Sequence, residues 1–417
     1  MNKFYPPLLY LLFLLFLASA LHAETFAYKQ KAGDKYRILS TVREDVYVNR
    51  RFSHGAEIVN RIAVETTSAD NGRASIKAVF QTGERTVHGK TSAEQAAGST
   101  RAIDPYQGGY QWQKDYMSEF ERDRLGYISI DKRYFMPVVR NVPAFPDKDL
   151  AIGDTWAIEG HETHDFRDSF GIAEPYSIPF TAHYTYLGEK EWKDKKYPAF
   201  FVSYRIFLEP EAVDSGLYPI RITGASDQLV YWNRDIGHEI AYNENFRIIF
   251  ELSDGKTIEF RGTAEAEIVE AQEMDKESIA DQIGKDIAEM GIKDARVTIV
   301  DDGISISLEN IQFQPDSAEL LDSEKEKLDK IGAILRRYQD RDILVAGHTA
   351  YTGSEASMVK LSEERASVVA DYFINRGVRT PDRVVIQGHG GRYPIADNNN
   401  EEGRIRNRRV EITLLEN

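Results

Sequence analysis

Cysteine is absent from the 417 residues. Its absence excludes disulfide cross-links, thiolate metal centres, a cysteine nucleophile and lipid attachment at an N-terminal cysteine. Positive charge is in short supply: 52 Lys and Arg stand against 67 Asp and Glu, a formal net charge of −15. An acidic surplus is repelled by the phosphate backbone and by anionic bilayers, so nucleic acid is not an expected partner. Apart from one stretch near the N-terminus, no apolar run approaches the ~20 residues of a membrane-spanning helix. Neither a phosphate-cradling glycine loop nor a Ser/His/Asp nucleophile arrangement is visible, and no cofactor is expected.

What is present begins with Met1-Asn2-Lys3, a dense apolar run from Leu8 to Leu17, and small residues at Ala18-Ser19-Ala20 and Ala23. A charged start, a short apolar core and a small-residue exit describe a secretory signal peptide over residues 1–23, so the chain is expected to be exported. The competing reading, an uncleaved membrane anchor, asks more length than the run has. With 42% hydrophobic content the remainder can build two or three cores.

From Glu24 to about Ile268 the chain is rich in Tyr, Phe, Val and Thr and is punctuated by Asp70-Asn71-Gly72 and Ser253-Asp254-Gly255. Such runs between Asn-Gly and Asp-Gly turns predict antiparallel strands and hairpins, among them 74–80, 180–187, 200–208 and 256–260. Gly33-Asp34-Lys35-Tyr36 is echoed by Gly153-Asp154-Thr155-Trp156, and Val142-Pro143-Ala144-Phe145-Pro146 lies between. The expectation is one or two antiparallel β domains, divided as 24–146 and 147–270. Trp112, Tyr116 and Phe120 recur every four residues, the spacing of a core-facing helix stripe. His161-Glu162-Thr163-His164-Asp165 could hold a divalent metal for a hydrolase, but its spacing is not that of two imidazoles on one helical face, and it reads better as a solvated polar loop. No metal site and no catalytic residue are assigned.

Residues 271–294 predict a helical linker, with Ile279, Ile283 and Ile287 on one stripe. The last part, 295–417, has period-two alternation at Ile304, Ile306 and Leu308. A capping box at Ser323-Glu324-Lys325-Glu326 predicts the start of a helix burying Leu328, Ile331, Leu335 and Tyr338. A short strand, 343–345, then leads through a Gly-bounded polar loop to a second helix, expected to bury Leu361, Val368, Val369, Tyr372 and Phe373 and to end at Gly377. Strands at 384–386 and 410–414 complete a βαβαββ sandwich, one mixed sheet with helices on one face. The fold class is α+β, a β-rich N-terminal region followed by this sandwich.

Three blocks carry a resemblance: Asn310-Ile311-Gln312-Phe313; Gly347-His348-Thr349-Ala350-Tyr351-Thr352-Gly353-Ser354 with Leu361-Ser362-Glu363-Glu364-Arg365-Ala366; and Gly403-Arg404-Ile405-Arg406-Asn407-Arg408-Arg409-Val410-Glu411-Ile412. In that order, over about the last third of the chain, they resemble the OmpA-like domain shared by OmpA, Pal and MotB proteins. The resemblance implies a non-enzymatic envelope protein, periplasmic and outer-membrane associated, whose ligand is the diaminopimelate of peptidoglycan. That zwitterion needs an anion and a cation side by side. Arg365 matches the family's Arg, the natural bidentate partner of a carboxylate; its alternative is a surface helix residue paired with Glu364 or Asp371. Where the family has Asp after His-Thr, this chain has Ala350. Met358 replaces a common Asn, and Gln314 stands where an acid is frequent.

The implied site is Arg365, Thr349, Ala350, Leu361 and Met358, with Asn407 and Arg409 either rimming it or capping the turn into the last strand. Losing one charge of such a pair costs about 2–5 kcal/mol, so binding of peptidoglycan, or of a modified cell-wall peptide, is expected to be weakened or altered. Glu355 and Asp397 are the candidate replacements for the missing carboxylate. Ornithine, with an ammonium and no side-chain carboxylate, would favour the opposite change. The β-rich region is expected to bind an envelope protein partner or a ligand. The rival architecture, an OmpA-type outer-membrane barrel over 24–268, should show lipid-facing alternation, yet charges interrupt it, as at Glu189-Lys190-Glu191.

Overall fold

The computed structural model describes residues 23–88, 109–211, 216–269, 274–309, 311, 313, 320–351 and 353–416. The expected signal peptide, save Ala23, lies outside the described residues, as do Asn310, Gln312, Gln314 and Thr352.

Aromatic and β-branched runs form long strands in the first part. β1 (Lys35–Val48), β2 (Arg51–Asp70), β3 (Arg73–His88) and β4 (Tyr110–Asp123) precede the short β5 (Ile128–Ile130) and β6 (Val139–Arg140). β7 (Thr155–His164), the one-turn helix α1 (Arg167–Phe170), β8 (Tyr176–Trp192), β9 (Lys195–Leu208), β10 (Pro219–Asn233), β11 (His238–Leu252) and β12 (Thr257–Val269) follow. Asn71-Gly72 closes β2 on β3 with φ of 50° and 75°, the two left-handed residues of a primed hairpin turn. Lys193-Asp194, at 47° and 64°, closes β8 on β9 the same way.

Neighbouring strands pair antiparallel from β6 to β12 in chain order, then from β12 to β1, and on from β1 to β5. The expected boundary segment, residues 142–146, lies between β6 and β7, while the β12–β1 ladder joins the strands on its two sides. The edges of this sheet come back together. The Tyr116 hydroxyl of β4 donates to Asp165 Oδ2, just past β7, at 2.8 Å, and Asn141 Oδ1 accepts the Ile128 N–H at 2.8 Å.

The Gly-Asp echo has the same geometry at both places. Gly33 (φ 89°) donates to Thr66 O, Asp34 O accepts from Thr66 N–H, and Asp34 Oδ2 accepts the Lys31 N–H. Gly153 (φ 93°) donates to Tyr186 O, Asp154 O accepts from Tyr186 N–H, and Asp154 Oδ2 accepts the Ala151 N–H. Each turn launches a strand and pins it to the next one. The aromatic stripe is not helical: Trp112, Tyr116 and Phe120 lie on β4. A spacing of four suits a strand as well as a helix, and a register shift between Asp115 and Trp112 turns Trp112 to the face opposite Tyr116 and Phe120.

Two apolar cores form on the inner face and remain separate. One gathers Phe26, Phe145, Phe180, Phe200, Tyr204 and Trp232 against β7 to β11. The other gathers Val64, Ile76, Phe80 and Phe120 against β2 to β4.

The second part has helix α2 (Lys276–Glu289), β13 (Ala295–Val300), β14 (Gly303–Glu309), α3 (Asp322–Leu335), β15 (Ile343–Gly347), α4 (Glu355–Asn375), β16 (Val384–Gly388), α5 (Glu401–Asn407) and β17 (Arg409–Leu415). β13 and the short α5 are additions to the expected order. Sheet order is β13-β14-β17-β15-β16, antiparallel except for β15–β16. Ile283 and Ile287 of α2 join the core made by Leu328, Ile331 and Leu335 of α3 and Val369 and Phe373 of α4. The expected capping box does not form. α3 starts one residue before Ser323, with Leu321 at its cap and no side-chain hydrogen bond there. The buried face of α4 is Met358, Ser362, Ala366, Val369, Ala370 and Phe373, so Leu361 and Val368 flank it. Gly377, at φ 64°, closes the helix as expected.

The two parts meet at one end of this sheet. Tyr110 and Gln111 of β4 pair in parallel with Val385 and Ile386 of β16. Asp342, just before β15, receives Arg61 of β2 and Arg383. The loop after Gly347 is at the other end of β15.

Candidate functional site

Gly347 ends β15 with no room for a side chain, since a Cβ there would stand 1.9 Å from the Ser362 carbonyl oxygen. Gly388, at the end of β16, is the same case, 2.6 Å from the Val359 carbonyl oxygen. The two glycines let α4 lie directly on the strand ends. Ser362, wholly buried, donates to Val359 O at 2.7 Å and accepts the Gly390 N–H at 2.8 Å. The loop backbone is tied down as well: His348 N–H donates to Arg409 O, Thr349 N–H to Gly390 O, and His389 N–H to Gly347 O. Ser354 caps α4 by accepting the Ser357 N–H.

On this frame Met358, Leu361 and Arg365 fall on one stripe of α4, at helical spacings of three and four. Met358 is buried, and Leu361 and Arg365 are half-buried. The Arg365 guanidinium carbon stands 5.0 Å from the centre of the Phe313 ring, a stacking worth about 0.5–1 kcal/mol. Ala350 is 2% exposed and Thr349 is buried beside it. A carboxylate at position 350 would therefore have a desolvated setting. Of the two candidate replacement acids, Glu355 is engaged with Arg392 at 2.7 Å on the surface, and Asp397 accepts the Asn399 N–H.

Asn407 is wholly buried and serves the neighbouring loop. Its Oδ1 accepts the Ile395 and Ala396 N–H groups at 2.8 and 2.9 Å, and its Nδ2 donates to Ala396 O and Asn398 Oδ1. Asn398 Oδ1 in turn accepts the Tyr351 N–H. Asn407 thus shapes the site from behind. Arg409 belongs to the face of the sheet away from α4, because its neighbour Val410 lies in the core under the helices. The structure therefore brings Met358, Leu361 and Arg365 together and holds Arg409 apart from them.

Around Arg409 lies a cluster that the sequence motifs did not reveal. Arg409 Nε donates to Glu411 Oε1 at 2.6 Å, His348 Nε2 is 3.6 Å from Glu411 Oε2, and the His348 and His389 rings lie 4.9 Å apart. Burial would raise the Glu411 carboxyl, but His348 and Arg409 outweigh it and hold it at about 2. Burial, with His348 adding, pushes His389 down to about 4. The alternation of His348 with Gly347, and of Glu411 with Val410, is the signal that could have placed them on one face.

The His161–Asp165 segment does not converge. Along β7, His161 and Thr163 face one way and Glu162 and His164 the other, and Asp165 is held by Arg167 and Tyr116. Among the described residues no group of His, Asp and Glu is placed to hold a metal ion.

A mixed sheet with helices on one face, and a glycine-ended strand feeding a helix that carries a stacked arginine, define an OmpA-like domain. Residues 312–408 belong to the OmpA family, whose model they match. Among curated relatives, the peptidoglycan-binding protein ArfA of Mycobacterium tuberculosis is 40% identical over 104 residues, 25% of this chain and 32% of that protein. Outer membrane protein A of Bordetella avium is 38% identical over 103 residues, 25% of this chain and 53% of that protein. The chain thus spans about a third to a half of the length of the curated relatives it matches. A solved outer membrane protein of Borrelia burgdorferi B31 is 34% identical, covering 29% of this chain and 96% of that one at a TM-score of 0.25. No described helix is long and apolar enough to cross a membrane.

Proposed function

We propose that this chain is a non-enzymatic envelope protein of the periplasm, whose OmpA-like domain faces peptidoglycan with an altered site while its β-rich region takes a second partner or ligand. The observation that carries the reading is the stripe Met358, Leu361 and Arg365, set on a helix seated against glycine-ended strands and kept where the loop acid has become a buried Ala350. Arg365 supplies the carboxylate-gripping half of a zwitterion site, and the ammonium-gripping half is gone. A relative whose name states peptidoglycan binding, 40% identical over 104 residues, supports the class of ligand. Residues 24–270 and 295–417 are read as separate functional units joined by the helical linker.

Sedimentation with purified sacculi tests the reading. The intact chain is expected to co-sediment weakly, Arg365→Ala to lose the remainder, and Ala350→Asp to gain. Sedimentation untouched by either change would move wall binding off this site.

The rival reading of an outer-membrane barrel is disfavoured by the outward face of β1, β11 and β12. There Arg43 pairs with Glu57 and Glu265, and Glu259 takes both Arg247 and Arg261. Charges in a lipid-facing band cost about 2–4 kcal/mol each for Arg or Lys at mid-depth. Purification of the full chain without detergent checks this point.

A further inference from the structure

The inner face of the curled sheet is not filled. Its two apolar cores stay separate: Ile38 and Ile62 pack at the edge of one and Ile248 at the edge of the other, the inward Val42, Ile58 and Phe246 lie between, and all six keep accessible surface although strands surround them. Small residues account for the space. Ala56 lies directly across from Glu44 on β2, Gly262 across from it on β12, and Ala264 separates Val42 from Glu244. A hollow walled by isoleucine, valine and phenylalanine thus runs between β1, β2, β3, β11 and β12. Unfilled apolar lining forgoes about 25 cal/mol for each Å² that an apolar occupant would cover.

The hollow has a sign of charge. Glu84 and Glu244 stand on the same cross-strand row, Glu84–Ile58–Val42–Ala264–Glu244, and Glu44 is two residues along β1 from Val42, on the same face. Glu244 accepts from Ser226 Oγ at 2.6 Å and from Gln228 Nε2, both neutral. None of these carboxylates has an ion-pair partner among the described residues. An inward cation, Arg122, is at the opposite end of the barrel, over the Tyr28 ring at 4.7 Å and beside His238. There Phe26 and Tyr28 pack against Phe145, Phe200 and Trp232 and plug that end. Carboxylates enclosed by apolar walls without a cation favour an incoming positive charge, and the walls favour hydrocarbon over water.

We propose that this hollow binds an elongated aliphatic molecule bearing one positively charged nitrogen, with the hydrocarbon along Ile38, Ile58, Ile62 and Phe246 and the nitrogen beside Glu44 and Glu84. The proposal names the ligand class for the β-rich region and rests on the reading that this region takes a ligand of its own, apart from the wall-facing site.

Titration calorimetry of the full chain with dodecylamine, dodecanoate and spermidine, all below the micellar range, tests it. Dodecylamine is expected to bind at least about tenfold more tightly than either of the others, a difference of about 1.4 kcal/mol. Glu44→Gln and Glu84→Gln, which keep shape and remove charge, are expected to erase most of that preference while the protein still melts cooperatively. Dodecanoate binding as well as the amine would remove the role of the carboxylates, spermidine binding as well would remove the role of the apolar wall, and uptake of none would remove the site. Sacculus sedimentation by the unaltered chain separates the two readings: if it is observed while that chain takes up no dodecylamine, the ligand inference alone falls.

Discussion

Arg61 of the curled sheet and Asp342 at the head of β15 form an ion pair that is largely shielded from water, and Arg383 Nε reaches the other oxygen of the same carboxylate at 2.6 Å. One carboxylate thus ties the two parts of the chain together. Asp342→Ala leaves two guanidinium groups without their anion, at an expected cost of about 2–5 kcal/mol. Calorimetric unfolding should change from one transition toward two. A single transition at an unchanged temperature would mean that the β4–β16 pairing holds the junction by itself.

At position 350 the expected gain from an acid is conditional on ligand. Ala350→Asp places a charge in a buried spot, so the free protein should lose about 1–3 kcal/mol, while affinity for a diaminopimelate-containing stem peptide should rise at least about tenfold. Calorimetry with that peptide and thermal melts without it give the two numbers. A gain in stability with no gain in affinity would show that the rest of the site no longer accommodates an ammonium.

The Glu44 carboxyl is pushed up to about 7 by burial, with Glu84 and Asp45 adding to it. Its folded value exceeds the unfolded 4.5, so its stabilising share is complete below 4.5 and is lost as pH rises through about 7. Glu44→Gln removes that loss. The variant should match the parent near pH 5 and exceed it at pH 8, by an amount on the order of 1–3 kcal/mol. Equal melting shifts at both pH values would mean that the side chain faces open water.

Asn407→Ala strips hydrogen bonds from Ile395, Ala396 and Asn398 at a wholly buried position, and about 2–4 kcal/mol should be lost. Asn407→Asp keeps the acceptor and should cost less. Urea denaturation ranks the two, and an alanine variant as stable as the parent would remove Asn407 from its organising role.

Much of the last third was legible because its signals are local. Alternation at Ile304, Ile306 and Leu308 marks a one-sided strand, and Gly377 marks a helix end. The capping box at Ser323 failed because α3 begins a residue earlier, which local chemistry alone does not fix. In the β-rich region the hairpin turns were readable, but the closure of β12 onto β1 was not: that pairing joins Arg37 to Val269, far apart in the chain, through backbone groups every residue shares. The register shift in β4 was hidden for the same reason. Within the site, the stripe on α4 followed from helical spacing, whereas the partners of Asn407 and the grouping of Arg409 with His348 and Glu411 depend on loop geometry that motifs do not encode.

The pairing of Tyr110 and Gln111 with β16 also bears on self-association. A free strand at the margin of a sheet offers unpaired amides to any passing chain. Here that margin is already occupied by the protein's own residues, so growth of one molecule onto the next from that side is blocked. The opposite margin, β13, exposes Arg296 and Thr298 at its start and Ile299 and Val300 at its end, so the charge that discourages a foreign strand guards only its first half.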